Sequence, residues 1–330
     1  MTWIRNARHI ALPQSVTPAL IAISMAATHP SYQWWLSLLA LIGVAAAHLG
    51  MNLLDDYFDY KSGTGETREK MASEGIRARI AKYEYLTSGR NSIKQLLIAI
   101  TLFLSLAAII GVIIAYFQGQ KILILMAIGA VLGYSYSGKP MPLGYWGLGE
   151  LVIGIMFGPL LMIGVQAASS GVIDMPIIIV GSAIGLLVTN IIFSHSMMDK
   201  NADEKAGKMT FARLLKTPTN ELIFSAILNT APYIIIAIGV AIKELHPAYL
   251  FTLIQFPLGI YLWNSLRRFQ NGDKQEIRPR RWMGNMGQFE LYKEAGIDWF
   301  MLRWLIARNQ VTHTSLVIVI INVVLAILNS

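Results

Sequence analysis

The chain alternates long apolar runs with shorter polar connections. Most of these runs approach the roughly 20 residues that a helix needs to cross a hydrocarbon layer about 30 Å thick. Because the pattern is helical throughout, it predicts an all-α, polytopic membrane protein, with residues 1–330 forming a single domain. Nine transmembrane helices are predicted, at about residues 10–28, 34–51, 96–116, 122–136, 148–168, 176–194, 222–242, 247–263 and 314–328.

Composition and charge agree with this prediction. The chain is 55% hydrophobic and 14% charged, whereas soluble domains carry about 25% charged residues. With the N-terminus in the cytoplasm, 25 of the 27 Lys and Arg residues fall on the cytoplasmic side, and only Lys121 and Lys243 lie outside. This positive-inside bias predicts a multi-pass protein of the inner (cytoplasmic) membrane and accounts for the net charge of +8 without nucleic-acid binding.

The chain contains no cysteine, which excludes disulfide and thiol chemistry. We also expect no cleavable signal in the segment MTWIRNARHI, because the apolar run that follows it is too long and has no small-residue cleavage pattern.

Acidic residues form two groups at the predicted cytoplasmic ends of two spans. Asn52, Asp56 and Asp59 lie at i, i+4 and i+7 after the second span, with Asp55 between them, and these positions share one helix face. After the sixth span, Asp199 and Asp203 lie at i and i+4. Seventeen of the 19 acidic residues are on this side, and only Asp174 and Glu244 are outside.

Oxygen ligands without His or Cys favour Mg²⁺, which keeps few protein carboxylates and completes its shell with water and phosphate oxygens. The two groups therefore predict a site for a diphosphate held through Mg²⁺, with metal ligands among Asn52, Asp55, Asp56, Asp59, Asp199 and Asp203. The same loops supply cationic candidates for diphosphate binding, namely Lys61, Arg68, Lys139, Lys205 and Lys208. The alternative is that these carboxylates are solvated helix ends.

At these residues the chain resembles the UbiA superfamily of intramembrane prenyltransferases. DDYFD (Asp55–Asp59) and DKNAD (Asp199–Asp203) are similar to the two Asp-rich motifs of that family, and GKMT (Gly207–Thr210) with FARLL is similar to the end of the second motif. YSYSGKPMPLGYWGLGE (Tyr134–Glu150) resembles the dihydroxynaphthoate, or menaquinone-pathway, branch. The resemblance covers about residues 9–265. It implies a bundle of nine helices around a central cavity that opens to the cytoplasmic side.

The resemblance implies transfer of a prenyl group from a polyprenyl diphosphate to an aromatic acceptor, with 1,4-dihydroxy-2-naphthoate as the leading candidate. Asp56, Asp59, Asp199 and Asp203 would be the catalytic Mg²⁺ ligands. The prenyl tail would lie between helices and contact lipid. Candidate substrate-binding residues are Tyr134, Tyr136, Asn190 and His195.

Two departures leave the acceptor open. Asp55 replaces the Asn of the first motif, with Asn52 one turn earlier, and the menaquinone branch's Asn-Asn-x-Arg-Asp run is here His195-Ser196-Met197-Met198-Asp199. Hydroxybenzoate, a tetrapyrrole or a glycerol phosphate lipid are alternative acceptors. Two further alternatives are a cation-coupled transporter, whose ionisable groups usually lie near mid-membrane, and a non-catalytic scaffold.

Residues 264–313 are longer than the connection expected from the family, and we predict an extended cytoplasmic loop. Within it an apolar stripe predicts an amphipathic helix near 297–308, formed by Ile297, Phe300, Met301, Trp304 and Leu305. Such a helix would lie on the membrane surface, cap the active site or bind a partner.

Overall fold

The computed structural model describes residues 2–62, 83–205, 207–273 and 278–328. The described residues form helices joined by loops. The principal helices are α1 Pro13–Ala26, α2 Trp34–Lys61, α3 Ile93–Gln118, α4 Lys121–Ser137, α5 Gly149–Ser170, α6 Met175–Met198, α7 Pro218–Ala241, α8 Phe256–Gln270 and α9 Asp298–Leu328. Shorter helices are Thr2–Asn6, His9–Ala11, Glu84–Thr87, Leu143–Tyr145, Lys200–Lys205, Phe211–Leu214, Pro247–Gln255, Arg281–Met283 and Phe289–Glu294.

Six of the described helices, α2, α3, α5, α6, α7 and α9, are long and apolar enough to cross a membrane. Helix α4 has 17 residues, and α1 and α8 have 14 and 15. The predicted class, an all-α multi-pass membrane protein, is therefore confirmed, but the predicted count of nine spans is not. The predicted spans lie broadly where the helices are, although several helices extend beyond them into polar sequence.

Helix α6 is the central element of the bundle, because it packs against α5, α7 and α9. Its contact with α5 is unusually close. A Cβ atom on Gly158 would lie 2.3 Å from the Cα atom of Gly185. Gly158 belongs to a π-helical turn, Met156–Leu160, that interrupts α5 next to Pro159. Small residues allow this approach, as is common between membrane helices.

The helices bring both acidic groups to one end of the bundle. We call the end at which Asp59 and Asp203 lie the acidic end. It carries the C-terminal ends of α2, α4 and α6 and the N-terminal ends of α5, α7 and α9. At the opposite end, the backbone N–H of Gln33 donates to the carbonyl of Ser169 (2.8 Å), which ties the start of α2 to the end of α5.

The segment predicted as a loop and surface helix differs in the structure. Residues 298–308 begin the continuous 31-residue helix α9, and residues 300–311 are buried on every side of the helix. The apolar stripe correctly indicated a helix. Its polar positions are also covered, because α8 and the preceding chain pack over them. Buried Arg303, for example, donates to the carbonyl oxygen of Ser265 on α8 (3.2 Å).

Candidate active site

A cavity of about 650 Å³ opens between the helices and includes residues of both acidic groups. Its polar part lies at the acidic end, where Asp55, Asp59, Asp203 and Lys208 all line it. The remainder extends between the helices and is lined mainly by apolar and small side chains. The two Asp-containing stretches, about 140 residues apart in sequence, therefore meet at one cavity.

The first acidic group lies on the last three turns of α2, which remains helical to Lys61. Asn52, Asp55 and Asp59 line the cavity. The hydroxyl of Ser137, at the end of α4, donates to Oδ1 of Asp55 (2.7 Å). At 3.6 residues per turn, Asp56 lies at the edge of this face rather than at its centre. It is not among the lining residues and is fully buried beside the N-terminal segment.

Asp56 forms a buried ion pair with Arg8. The Arg8 guanidinium donates to Oδ1 of Asp56, and it also reaches Oδ2 of Asp55 (3.5 Å) and the carbonyl oxygen of Asn52 (3.0 Å). Burial lowers the pKa of Arg8, but the Asp56 and Asp55 carboxylates outweigh this effect and leave its pKa raised. Arg8 therefore remains charged and contacts two of the three carboxylates.

Tyr85 completes the surroundings of Asp56, because its hydroxyl donates to Oδ2 (3.0 Å). Burial and then the charge of Asp56 raise the pKa of Tyr85, so the phenol remains protonated as a donor. Both oxygens of Asp56 thus have protein partners, and Asp56 anchors the end of α2 to the segments before α1 and α3.

The Tyr134–Glu150 stretch connects the two acidic groups. The Tyr145 hydroxyl donates to Oδ1 of Asp59 (2.8 Å), while its backbone carbonyl accepts from the N–H of Met209 (3.3 Å). Trp146 and Met209 also form an isolated parallel bridge. The loop after the fourth span therefore fixes the distance between Asp59 and the Gly207–Thr210 turn.

In the second group, one carboxylate lines the cavity and the other does not. Asp203 lines it, whereas Asp199 is fully buried and its Oδ2 accepts a hydrogen bond from Nε2 of His195 (3.0 Å). His195 itself lines the cavity. In each acidic group a fully buried aspartate thus contacts a basic side chain. Asp56 contacts Arg8, and Asp199 contacts His195.

Lys208 is the cation that lies between the two groups. Burial lowers the pKa of Lys208, but the carboxylates of Asp59, Asp203 and Asp55 raise it above the ordinary value of 10.5. Its ammonium nitrogen also lies 5.4 Å from the centroid of the Tyr145 ring. A charged amine therefore faces the cavity among three carboxylates, where it can contact an anion.

Glu150 is a second anchor at the acidic end. Its Oε1 accepts hydrogen bonds from the Ser196 hydroxyl (2.7 Å) and the backbone N–H of Phe211 (3.1 Å). These contacts join the start of α5 to the end of α6 and to the chain that follows Lys208. The positions of Asp203 and Lys208 relative to α2 depend on this connection.

Several predicted site residues lie elsewhere. Lys61, Lys139 and Lys205 are solvent-exposed, and Tyr134, 46% exposed, packs its ring against Phe58. Asn190 is buried and donates to Oδ1 of Asn229 (3.0 Å) in the helix interface. The structure thus brings only Asn52, Asp55, Asp59, Asp203, Lys208, Tyr136 and His195 of the predicted set to the cavity. Arg68 lies outside the described residues.

Arg8, Ser137 and Tyr145 belong to this site but were missed from sequence. Arg8 carried a usable signal, because it stands at the cytoplasmic start of the first predicted span, at the same depth as the carboxylates. Tyr145 lies within the Tyr134–Glu150 stretch, but nothing in the sequence indicates that it contacts Asp59. Its contact depends on how the loop folds back over α2.

The apolar part of the cavity runs along α2, α3, α4 and α5. On α2 the lining extends from Asp59 to Ala40, about 28 Å at 1.5 Å per residue. We call this apolar part of the cavity the tunnel. Small residues line it, including Gly129 on α4 and Gly164 on α5. A Cβ atom on Gly164 would meet nothing within 4 Å, so the space beside it belongs to the tunnel.

The donor set at the polar end suits Mg²⁺ delivered with a phosphate ligand. Within the described ranges, no three His, Asp or Glu side chains form a ready-made metal site. Mg²⁺ needs no such cage, because it is commonly held by one or two carboxylates together with substrate phosphates and water. Asp59 and Asp203 are the side chains expected to bind the ion, with Asn52 and Asp55 beside them. All four offer oxygen atoms as ligands.

Comparison with known proteins agrees with this geometry. Over 277 residues the chain is 25% identical to the 1,4-dihydroxy-2-naphthoate octaprenyltransferase of Mycobacterium tuberculosis, covering 84% of this chain and 89% of that protein. It is 27% identical over 262 residues to the 2-carboxy-1,4-naphthoquinone phytyltransferase of Synechocystis, covering 78% and 80%.

The fold is similar to that of a UbiA homologue from Archaeoglobus fulgidus solved with DMAPP and Mg²⁺. The TM-score is 0.63 at 15% identity, and the match covers 97% of this chain and 99% of that one. The model of the UbiA prenyltransferase family matches residues 15–289. This range includes both acidic groups and the loop that joins them, and the chain therefore belongs to the UbiA prenyltransferase family.

Proposed function

We propose that the protein transfers a prenyl group from a polyprenyl diphosphate to 1,4-dihydroxy-2-naphthoate in an Mg²⁺-dependent reaction. The observation that carries this proposal is the single cavity in which two carboxylate groups and Lys208 lie at the mouth of an apolar tunnel. A charged diphosphate and a long hydrocarbon tail need these two environments side by side. The names of the curated relatives support the naphthoate acceptor.

The residues of the polar end have separate roles in this proposal. Asp59 and Asp203, with Asn52 and Asp55, would hold Mg²⁺, which supplies positive charge that stabilises the departing diphosphate. Lys208 contacts the diphosphate oxygens directly through charge-assisted hydrogen bonds. Asp56 and Asp199, which are fully buried, position the other groups through Arg8 and His195.

Cleavage of the allylic C–O bond leaves the electron pair on the diphosphate and an allylic cation on the prenyl group. An electron-rich ring carbon of the acceptor then forms the new C–C bond, and that carbon loses its proton, or its carboxylate as CO2, to restore the aromatic ring. Lys208 stabilises the negative charge that develops on the leaving diphosphate. Preorganised electrostatic groups accelerate a reaction most when they act on charge that develops in the transition state. Tyr136, which lines the cavity, presents an aromatic ring to the cationic carbon.

The asymmetry of Lys and Arg supports a cytoplasmic location for the acidic end, where soluble diphosphates and acceptors are available. The tunnel then extends into the inner membrane, and the prenyl tail lies among the apolar side chains of α2 to α5. A transporter would need its ionisable groups nearer mid-membrane, whereas these groups lie at one end of the bundle.

The test is a transfer assay with the purified full chain in nanodiscs. Radiolabelled geranyl or octaprenyl diphosphate, Mg²⁺ and one acceptor at a time are incubated, and lipid products are extracted. We expect product with 1,4-dihydroxy-2-naphthoate. Product with hydroxybenzoate alone would overturn the acceptor assignment, and the absence of product with every acceptor would overturn the proposed reaction.

A further inference from the structure

One wall of the cavity comes from chain that lies beyond the family match. The match ends at residue 289, whereas Met301 and Trp304, on the first turns of α9, both line the cavity. Phe300, in the same part of α9, places its ring 4.9 Å from the ring of His195 at an angle of 89°. This wall therefore lies at the level of the acidic residues and not along the apolar tunnel.

Arg308 packs against the ring of Trp304. The Arg308 guanidinium carbon lies 5.9 Å from the centroid of the Trp304 ring. Arg308 in turn donates to the carbonyl oxygen of Asn285 (2.7 Å) and to Oδ1 of Asn309 (2.8 Å). Trp304 is only 7% exposed, so this indole has one fixed position at the cavity wall.

The chain before α9 is part of the same unit. The Asn309 amide donates to the carbonyl oxygens of Met283 (2.7 Å) and Asn285 (2.9 Å). Between them Gly284 has φ +85°, and a Cβ atom there would lie 2.5 Å from Nε2 of His313. Only glycine allows this close turn. Residues 283–285 thus press against α9 and fix the helix that carries Trp304.

The N-terminal segment and α1 also line the cavity, and we group their lining residues with Met301 and Trp304 as one pocket. Ile10, Ala11 and Gln14 line the cavity there, and α1 packs against α9. Gln14 is 5% exposed and supplies a carboxamide that can donate to or accept from a hydroxyl or carboxylate. An indole, a thioether and an amide together suit a flat aromatic molecule with polar substituents, because aromatic rings favour stacked or edge-to-face contact.

The tunnel and this pocket lie on different walls of the cavity. The tunnel is lined by α2, α3, α4 and α5, whereas the pocket is formed by the segment before α1, by α1, α6 and α9. Lys208 and Asp203 lie at the polar end that the two share. A molecule in the pocket can therefore approach the diphosphate-bearing carbon without displacing the tail.

We propose that Trp304 and Met301 form the aromatic acceptor pocket and that Trp304 is a specificity-determining residue for a flat, polar-substituted aromatic acceptor. This proposal rests on the proposed prenyl transfer and specifies which wall recognises the second substrate. Arg308 is a positioning residue that acts through Trp304.

The test compares Trp304→Ala and Trp304→Phe with wild type, using geranyl diphosphate and 1,4-dihydroxy-2-naphthoate. Trp299→Ala is the matched control, because Trp299 lies on the same helix but stacks on Phe269 at 5.5 Å. We expect Trp304→Ala to raise the acceptor KM roughly tenfold through loss of the ring contact. The KM for geranyl diphosphate stays within about twofold of wild type. Trp304→Phe recovers most of the acceptor affinity, and Trp299→Ala leaves both KM values unchanged.

An unchanged acceptor KM in an active Trp304→Ala enzyme would overturn the proposal. So would a selective rise in the geranyl diphosphate KM, because Trp304 would then contact the tail. If Trp304→Ala does not fold, the less disruptive Trp304→Phe variant decides, since it should change the ranking of acceptors of different ring size. Failure of wild type with every acceptor would instead refute the prenyl transfer itself.

Discussion

The polar end and the apolar tunnel of the cavity are built in opposite ways. At the polar end, side chains from distant segments form specific contacts, as Arg8 does with Asp56 and Tyr145 with Asp59. The tunnel is shaped by small residues such as Gly129 and Gly164, which leave space and form no directed contact. For the proposed reaction, this comparison predicts that charge placement recognises the diphosphate, whereas volume limits the length of the prenyl tail. Variants should therefore affect the two parts differently.

The largest effect is expected for Asp203→Asn, which removes a cavity-facing carboxylate while preserving its shape. Transfer should fall about a thousandfold, the upper range for losing one electrostatic contact at a reacting centre. Steady-state turnover with geranyl diphosphate measures this. Glu204→Gln is the control, because the neighbouring side chain is 67% exposed. Equal activity in the two variants would exclude Asp203 from the site.

Arg8→Gln should have the next largest effect, but on stability. It leaves Asp56 buried without its cation, which costs about 3 kcal/mol for a buried pair broken on one side. The midpoint of SDS-induced unfolding should fall, and the double variant Arg8→Gln/Asp56→Asn should recover most of the loss. Arg5→Gln, at an exposed position, should change nothing. A double variant less stable than the single one would contradict this role of the ion pair.

Lys208→Gln should raise the KM for geranyl diphosphate about tenfold to a hundredfold, since hydrogen bonds to charged groups contribute about 1.5–3 kcal/mol. Exposed Lys205→Gln is the comparison variant. Because the pKa of Lys208 is raised above 10.5, its charge is present at lower pH and is lost only as pH rises through the raised value. This contribution should therefore remain constant from about pH 7 to pH 9. A Lys208-dependent loss of affinity in that range would count against it.

The smallest effect is expected in the tunnel. Gly164→Leu places a side chain in the open space and should reduce turnover of octaprenyl diphosphate by about tenfold or less, comparable to one misplaced apolar group in a pocket. Geranyl diphosphate, whose tail is too short to reach the substitution, serves as the internal control. If both substrates are affected equally, the tail does not follow α5.

The sequence predicted the polar end better than the tunnel. The acidic groups stood out because carboxylates next to apolar helices are unusual, and Asp55, Asp59 and Asp203 of these groups line one cavity, whereas Asp56 and Asp199 do not. The partner of Asp56 was missed because Arg8 is 48 residues away in sequence. Of five candidate cations, sequence could not single out Lys208, since its burial depends on the fold of residues 199–217.

The tunnel and α9 show a different limit of prediction from sequence. Gly164 has no sequence neighbour that marks it as lining a cavity, because the space beside it is created by other helices. At the start of α9, the apolar stripe at positions 297, 300, 301, 304 and 305 correctly indicated a helix, which begins at Asp298. Their pattern also predicted a surface location, but α8 and residues 283–285 cover the polar positions. Burial of that face through Asn285 is a tertiary contact that helical periodicity does not contain.

The most direct test of the central claim is calorimetric titration of geranyl diphosphate into the full chain, with Mg²⁺ and with a chelator. Our proposal predicts binding that requires Mg²⁺ and is weakened in both Asp59→Asn and Asp203→Asn, because one ligand is shared by the two acidic groups. Wild-type binding that is unaffected by the chelator, or that survives either substitution at full affinity, would contradict it.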